Sequence, residues 1–291
     1  MIEVKEVTKA YGKSVVVDNV SLNLRSGGLT AIVGANGAGK STLLSMIARL
    51  LPIDAGAIQV ADYDVTTGDS RELARKLAIL RQTNELQSRL TVADLVAFGR
   101  YPHSGGRLTA EDREKVDEAI GWMDLTALRD RFLDEMSGGQ RQRAFVAMVL
   151  AQDTEYMLLD EPLNNLDVSH AHAMLRTLRR AADELGKTVV IVVHDINYAS
   201  CWADQIVAMK DGRIRKVGSP REIVQRELLR EVFDLDIEVA EFAGHPIAHF
   251  YLPVPVCSNC NGASCGTCCL DGARESSGPV PVSLGAGAPR G

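Results

Sequence analysis

The chain has 291 residues, of which 46% are hydrophobic and 24% charged, a composition typical of a soluble globular protein. Its net charge of −6 argues against general nucleic-acid binding. No apolar stretch approaches the roughly 20 residues that a membrane-spanning helix needs, and the opening sequence MIEVKEVTKAYGK lacks the apolar core of a signal peptide. We therefore expect a cytoplasmic protein whose membrane role, if it has one, depends on a partner.

Strands and turns dominate the first part of the chain. Apolar and β-branched runs predict strands over IEVKEV, SVVVDNVSLNL and LTAIVG, and short strands over AIQV and LAIL. STLLSMIARL, directly after LTAIVG, has helical spacing. From about residue 90 to 150 the spacing is again helical, over TVADLVAFGR, AEDREKVDEAIGWMDL and QRQRAFVAMVLAQ. The sequence thus predicts a helical insertion of roughly residues 88–150.

Alternation of strand and helix then returns. YMLLD, TVVIVV, QIVAMK and RIRKVG predict strands, with a helix over residues 169–185 and a short one after TVVIVV. A short helix and two weak strands are expected over 222–252. The fold class is therefore α/β with a parallel core, in one domain over residues 1–255. Beyond it, Gly, Ser, Cys, Pro and Ala predict a flexible tail over residues 256–291.

The most specific motif is GANGAGKST, residues 34–42, which fits the phosphate-binding pattern G-x-x-x-x-G-K-[ST]. Glycines let backbone N–H groups turn inward, and the following helix adds its positive end. Lys40 is expected to reach the β- and γ-phosphates, and Ser41 to bind Mg²⁺. The alternative is a chance glycine-rich turn, but the preceding strand, the spacing of the motif and the following helix all argue against it. The residues assigned to nucleotide binding are Gly34, Asn36, Gly37, Gly39, Lys40, Ser41 and Thr42.

Two acids end the predicted strand YMLLDE. Asp160 at the carboxyl end of the strand would bind Mg²⁺, directly or through water. Glu161 would then act as general base on the attacking water. A strand that ends in two acids by chance is common in isolation, but a phosphate-binding loop upstream favours the functional interpretation.

A second anion site is predicted at MSGGQ, where Ser137, Gly138 and Gly139 open a helix. Two anion sites on different elements cannot easily hold one nucleotide within one chain. A head-to-tail homodimer would solve this, with the phosphate loop of each subunit facing the SGGQ turn of the other. A plain helix cap is the alternative when this turn is considered alone.

Two further polar residues follow predicted strands. His194 comes after TVVIVV, at the strand end where α/β sheets place ligand groups, and is expected to reach a γ-phosphate. A lone histidine is more often structural. Gln82 follows LAIL and is expected to sense Mg²⁺ and the attacking water.

Together these motifs resemble the nucleotide-binding subunit of ABC transporters over roughly residues 1–250. The resemblance implies ATP and Mg²⁺ as cofactors, ATPase activity, and a P-loop NTPase fold with an N-terminal antiparallel β-subdomain and a helical insertion. It implies that Tyr11 stacks on adenine and that MSGGQ, including Gln140, is the signature motif, with Met136 where Leu is usual. Gln82 becomes the Q-loop residue and His194 the switch histidine.

The same resemblance places the D-loop at NNLD, residues 164–167, and assigns Asp167 to the nucleotide site. This D-loop begins with Asn164 and Asn165, where small residues are commoner. The departure leaves the details of coupling across the dimer open.

A narrower resemblance is to the iron–siderophore importers of the petrobactin and enterobactin type. It is carried by FGRYPH, SGGQRQRAFVAMVLAQDT, LLDEPLNNLD and VVHDINYASCWADQIVAMKDGRI. It implies an ATPase subunit that energises ferric-siderophore uptake at the cytoplasmic face of the cell membrane. The implied partners are a second ATPase subunit, two membrane permease subunits and, indirectly, a siderophore-binding protein, with no nucleic acid.

Other functions are weighed against this one. Importers of haem and cobalamin have similar ATPases, so the ATPase of a haem or cobalamin importer is an alternative function. A soluble ABC protein of DNA repair or translation is disfavoured, because no long coiled coil and no second cassette is present. An exporter ATPase is disfavoured by FGRYPH and NNLD. Within FGRYPH, Phe98 and Tyr101 are either permease contacts or, respectively, a core residue and an amphipathic surface residue.

Five of the six cysteines lie in the predicted tail. Cys257 with Cys260 and Cys265 with Cys268 form two C-x-x-C pairs, a spacing that suits thiolate binding of Zn²⁺ or an iron species. The short gap between the pairs and the lack of a surrounding packed module favour the alternative, a tail without a specific metal site.

Overall fold

A computed structural model describes residues 1–82, 89–164 and 166–250. The strands are β1 (Ile2–Tyr11), β2 (Ser14–Leu24), β3 (Gly28–Val33), β4 (Ala55–Val60), β5 (Tyr63–Asp64), β6 (Leu77–Leu80), β7 (Tyr156–Asp160), β8 (Thr188–Val192), β9 (Gln205–Lys210), β10 (Arg213–Gly218), β11 (Glu238–Phe242) and β12 (His245–His249). The helices are α1 (Lys40–Ile47), α2 (Ser70–Lys76), α3 (Val92–Phe98), α4 (Tyr101–Ser104), α5 (Ala110–Trp122), α6 (Gly138–Ala151), α7 (Val168–Glu184), α8 (Ile196–Trp202), α9 (Pro220–Ile223) and α10 (Arg226–Phe233).

Two large sheets form the body of the described chain. The N-terminal sheet is antiparallel, with strand order β2-β1-β4-β5. The second sheet has the order β10-β9-β3-β8-β7-β6; its strands are parallel except β10, which pairs antiparallel with β9. Every residue of β7 and β8 is buried, as continuous apolar runs in parallel strands require. The predicted parallel core and antiparallel subdomain are both confirmed.

The strand order brings the predicted functional segments together. Strands β3, β8, β7 and β6 are consecutive neighbours and run in the same direction. Their carboxyl ends therefore lie along one edge of the sheet, where α/β folds bind ligands. The segments that leave this edge begin at Gly34, Val193, Glu161 and Arg81.

The helical part packs α3, α5 and α6 against one another. A buried ion pair stabilises this helical part. Arg100 Nε donates to Asp112 Oδ1 over 2.8 Å, and both side chains are almost fully buried. Arg100 also donates to the carbonyl of Ala151, at the end of α6. Hydrogen bonds from Thr109 and the Arg100 guanidinium lower the pKa of Asp112 to about 2, although burial opposes this shift.

Two short helices, α2 and α4, were not predicted, and two others, α9 and α10, were predicted only as a single helix. Helix α2 buries only Leu73, so no apolar periodicity reveals it; its start is fixed by Asp69, which accepts from the backbone of Arg71 and Glu72. Helix α4 has four residues and ends at Gly105 in the left-handed region. The single short helix expected after residue 222 is two helices, α9 and α10.

Candidate functional site

The phosphate loop connects β3 to α1, and two of its glycines are required by close backbone approach. Gly34 has φ +151°, and a Cβ there would lie 2.1 Å from the carbonyl oxygen of Met209. Gly39 has φ +92°, and a Cβ there would lie 2.6 Å from the carbonyl oxygen of Val16. Asn36 and Gly37 are exposed at the apex of the loop.

Lys40, the first residue of α1, is turned back into this loop. Its side chain is buried, and Nζ donates to the carbonyls of Gly34 and Ala35 at 2.9 Å each. Burial lowers its pKa, while the nearby Glu161 and Asp160 act in the opposite direction. A lysine ammonium has three donors, and the two carbonyls use two of them, so the residue suits an anion at the mouth of the loop.

Ser41, the residue after Lys40, contacts Asp160 at the end of β7. Ser41 Oγ donates to Asp160 Oδ1 over 2.8 Å, and Asp160 is only 6% exposed. Burial raises the pKa of Asp160, partly offset by the hydrogen bond from Ser41. A hydroxyl and a carboxylate are hard oxygen ligands of the kind Mg²⁺ prefers, so these two residues fit that ion. Thr42, the third assigned residue of this helix, is half-buried.

Glu161 lies at the centre of a polar cluster. It is 8% exposed and has φ +52°, a left-handed conformation that is uncommon for a residue with a side chain. Gln82 Nε2 donates to Oε2 over 2.7 Å, and Asn164 Nδ2 donates to the same oxygen. His194 Nε2 lies 2.7 Å from Oε1, and the side chain of His194 is 44% exposed. The carboxylate is thus held on both oxygens beside an opening to solvent.

The SGGQ turn opens α6 as predicted. Ser137 Oγ accepts from the backbone N–H of Gln140, and Gln140 Oε1 accepts from the backbone N–H of Ser137, which makes a capping box. Ser137 and Gly138 are exposed, and a Cβ on Gly138 would meet no atom within 4 Å. Gly138 therefore faces open space, while Met136 beside it is buried.

Asp167 and Tyr11 lie apart from the Glu161 cluster. Asp167 caps α7 and accepts from the backbone and side chain of His170 and from Ser169, contacts that lower its pKa to about 2. Tyr11 ends β1 and is half-exposed, with Lys9 Nζ 5.8 Å from the centre of its ring. Within the described part of the chain, no hydrogen bond links either residue to Lys40, Asp160 or Glu161.

The structure unites Lys40, Ser41, Asp160, Glu161, His194 and Gln82 at one sheet edge. It also adds Asn164, which the sequence singled out only as a departure within the D-loop. A polar amide three residues after an acid, in a stretch too short for a helix, was the signal that could have identified this contact.

A protein-family model for ABC transporters matches residues 17–164. The chain belongs to the ABC transporter family. Membership confirms the predicted fold class and makes the chain an ABC ATPase. Petrobactin import ATP-binding protein YclP of Bacillus subtilis (strain 168) is 48% identical over 251 residues, which cover 86% of this chain and 100% of that protein. Petrobactin import ATP-binding protein FatE of Bacillus anthracis is 51% identical over 248 residues, 85% of this chain and 99% of that protein.

Solved structures agree with this assignment. The dimeric structure of MJ0796, a bacterial ABC transporter cassette, is 30% identical with a TM-score of 0.69, and the match covers 75% of this chain and 98% of that one.

None of the helices described for this chain is both long and apolar enough to cross a membrane. No cluster of three or more His, Cys, Asp or Glu side chains suited to a metal ion occurs among residues 1–82, 89–164 and 166–250. The cysteine pairs from Cys257 to Cys268 lie outside those residues.

Proposed function

We propose that this chain is the ATP-binding and ATP-hydrolysing subunit of an importer, and that it energises uptake of a ferric siderophore. The observation that supports this most is the Glu161 cluster: a buried carboxylate, held on both oxygens, beside the Ser41–Asp160 contact and the Lys40 loop. A carboxylate so placed suits activation of water against a phosphate bound in the loop.

Each residue has a separate task in the proposed mechanism. Lys40 and the backbone N–H groups of the loop bind the β- and γ-phosphates of ATP, and Tyr11 stacks on adenine. Mg²⁺, held by Ser41 and Asp160, would neutralise the charge that develops on the phosphates. Glu161 accepts a proton from the attacking water, His194 contacts the γ-phosphate, and Gln82 orients the water through its link to Glu161.

A second copy of the chain completes the proposed site. The exposed SGGQ turn, Ser137 to Gln140, would bind the nucleotide held by the phosphate loop of the partner subunit, with Asp167 beside it. The open space at Gly138 and the exposure of Ser137 support this arrangement. The MJ0796 cassette, similar over most of its length, forms a dimer.

Membrane attachment would come from two permease subunits. Phe98 and Tyr101 are 55% and 63% exposed, so the alternative that Phe98 is a core residue is wrong. Two exposed aromatic residues within four positions of the chain are typical of a protein-binding surface. We infer that they contact a permease, which places the subunit at the cytoplasmic face of the cell membrane.

Petrobactin is the substrate class that the comparisons favour, because the names of YclP and FatE describe petrobactin import. Ferric siderophore would be delivered to the permeases by a siderophore-binding protein. ATPases of haem or cobalamin importers remain the competing assignment, since this subunit need not touch the transported solute.

Uptake of labelled ferric siderophores in native cells tests the proposal, with wild type compared with Glu161→Gln. Loss of uptake for one chelate is the expected result and names the substrate. Unchanged uptake of every chelate, with the purified variant inactive as an ATPase, would overturn siderophore import and leave haem or cobalamin to be measured.

The tail cysteines allow one additional proposal about cofactors. Cys257, Cys260, Cys265 and Cys268 would supply four thiolates, the ligand set of structural Zn²⁺ or an iron–sulfur centre. Metal analysis of the full chain after washing with chelator tests this. Retained stoichiometric metal is the result that supports a site, and its absence would leave only non-specific binding.

A further inference from the structure

Asn164 makes a contact that the proposed mechanism does not use. Its Nδ2 donates to Oε2 of Glu161, the oxygen that Gln82 Nε2 also reaches at 2.7 Å. The backbone N–H of Asn164 donates to the carbonyl of Glu161 over 3.2 Å. One residue thus closes the turn after β7 with its main chain and holds the Glu161 carboxylate with its side chain.

Helix α6, which begins at SGGQ, also contacts this turn. Gln142, the fifth residue of α6, donates from Nε2 to the carbonyl of Pro162 over 3.2 Å. A Cβ on Gly139 would lie 3.3 Å from Cδ2 of Leu166, so the start of α6 and the segment after the turn are in close contact. Hydrogen bonds therefore run from α6 to Pro162 and from Asn164 to Glu161.

The chemistry needs such a restraint. A general base must present one lone pair to the water it activates, and a rotating carboxylate does so only part of the time. Glu161 projects from a left-handed residue at the end of a strand, with His194 on one oxygen and two amides on the other. The Gln82 amide comes from a different strand end, so Asn164 is the donor that is fixed relative to the backbone of Glu161 itself.

We propose that Asn164 is a positioning residue for Glu161, and that Gln142 keeps Asn164 in place by holding the carbonyl of Pro162. In the proposed dimer, α6 begins with the turn that faces the nucleotide bound by the partner subunit. The orientation of Glu161 in one subunit is therefore linked to the position of α6 in that same subunit. This inference rests on the proposed role of Glu161.

ATPase kinetics of the purified full chain with Asn164→Leu and Asn164→Ser test the first part. Leucine keeps similar bulk without a donor, whereas serine keeps a donor. Loss of one hydrogen bond to a carboxylate should lower kcat about tenfold to a hundredfold in Asn164→Leu. KM for ATP should stay within about twofold, as for an interaction that acts on the chemical step. Asn164→Ser should recover most of kcat.

Asn23→Leu is the matched control, because Asn23 is exposed on β2 in the N-terminal sheet. A wild-type kcat in Asn164→Leu, or a rise in KM with kcat unchanged, would overturn the positioning role. Equal loss in the leucine and serine variants would also overturn it, since that pattern indicates a disturbed turn rather than a lost donor.

A double-mutant cycle with Gln142→Leu and Asn164→Leu tests the link to α6. If Gln142 acts through Asn164, the two losses in kcat should not multiply, and the double variant should resemble the worse single variant. Losses that multiply would show independent action and overturn the link.

Glu161→Gln, measured beside them, separates the two proposals: an active Glu161→Gln variant refutes the general base, whereas an inactive one with a normal Asn164→Leu refutes only the positioning role.

Discussion

Ser41 and Asp160 are 119 positions apart, yet Ser41 Oγ donates to Asp160 Oδ1 over 2.8 Å. The contact joins the phosphate loop after β3 to the acidic end of β7, and these two strands are not neighbours. Strand β8 lies between them. Since β8 leads directly to His194, the same strand order that allows the contact also puts His194 beside Glu161.

Replacement of Glu161 by glutamine is expected to lower kcat for ATP hydrolysis by at least about 100-fold, the usual contribution of a positioned general base. Glutamine keeps the size of the side chain but cannot accept the proton of the attacking water. ATP binding should persist, because Lys40 and Ser41 are unchanged. We therefore expect gel filtration with ATP and Mg²⁺ to show an accumulated dimer.

Glu155→Gln is the control for this substitution, since Glu155 is exposed and precedes the same strand. It should hydrolyse ATP at the wild-type rate. A Glu161→Gln variant that stays monomeric with ATP would contradict the expected trapped dimer.

Two glycines of the phosphate loop should differ in their tolerance of alanine. Both have positive φ, so both substitutions carry backbone strain. At Gly34 the new Cβ would also lie 2.1 Å from the Met209 carbonyl, whereas at Gly37 it meets nothing within 4 Å. Gly34→Ala should lower the free energy of unfolding by about 1–3 kcal/mol more than Gly37→Ala does.

Urea unfolding without nucleotide measures this difference and keeps ATP binding out of the comparison. Equal destabilisation by the two variants would show that φ alone, rather than contact with the strand that carries Met209, makes Gly34 necessary.

The residues that the structure brings together in the candidate site were easier to predict from the sequence than their arrangement. Lys40, Ser41, Asp160, Glu161, Gln82 and His194 follow from loop and strand-end patterns, because each occupies a position that a motif defines. What a motif cannot supply is strand order, and the order β3-β8-β7-β6 is what puts Gln82 and His194 on the two oxygens of Glu161. Asn164 was noticed for its unusual residue type, whereas its contact depends on the turn and on Gln142.

The Arg100–Asp112 pair should be important for stability. Asp112→Asn leaves the Arg100 guanidinium buried without its carboxylate, which is expected to cost about 3–5 kcal/mol of unfolding free energy. Asp117→Asn on the same helix is the control, since its pair with Arg129 is exposed. That variant should lose less than about 1 kcal/mol.

The contribution of Asp112 should also depend on pH. Its pKa is about 2 in the folded protein, against 3.8 as the ordinary value, so the folded state favours the ionised form. The stabilisation is therefore complete above about pH 4 and is lost as the pH falls toward 2. Urea unfolding at pH 7 and pH 2.5 should show the gap between wild type and Asp112→Asn narrowing at the lower pH; a constant gap would contradict the assigned pKa shift.

Phe98 and Tyr101 are expected to carry much of the binding to a permease, because both are exposed aromatic side chains, a type that often dominates such interfaces. Phe98→Ser and Tyr101→Ser should each weaken the affinity for the permease pair at least about tenfold. The measurement is the dissociation constant between the purified subunit and its permeases in detergent. Phe242→Ser provides the control, since Phe242 is 75% exposed but lies at the end of β11. If all three variants bind as wild type does, the permease contacts another surface; if Phe242→Ser alone weakens binding, that surface includes the β11–β12 hairpin.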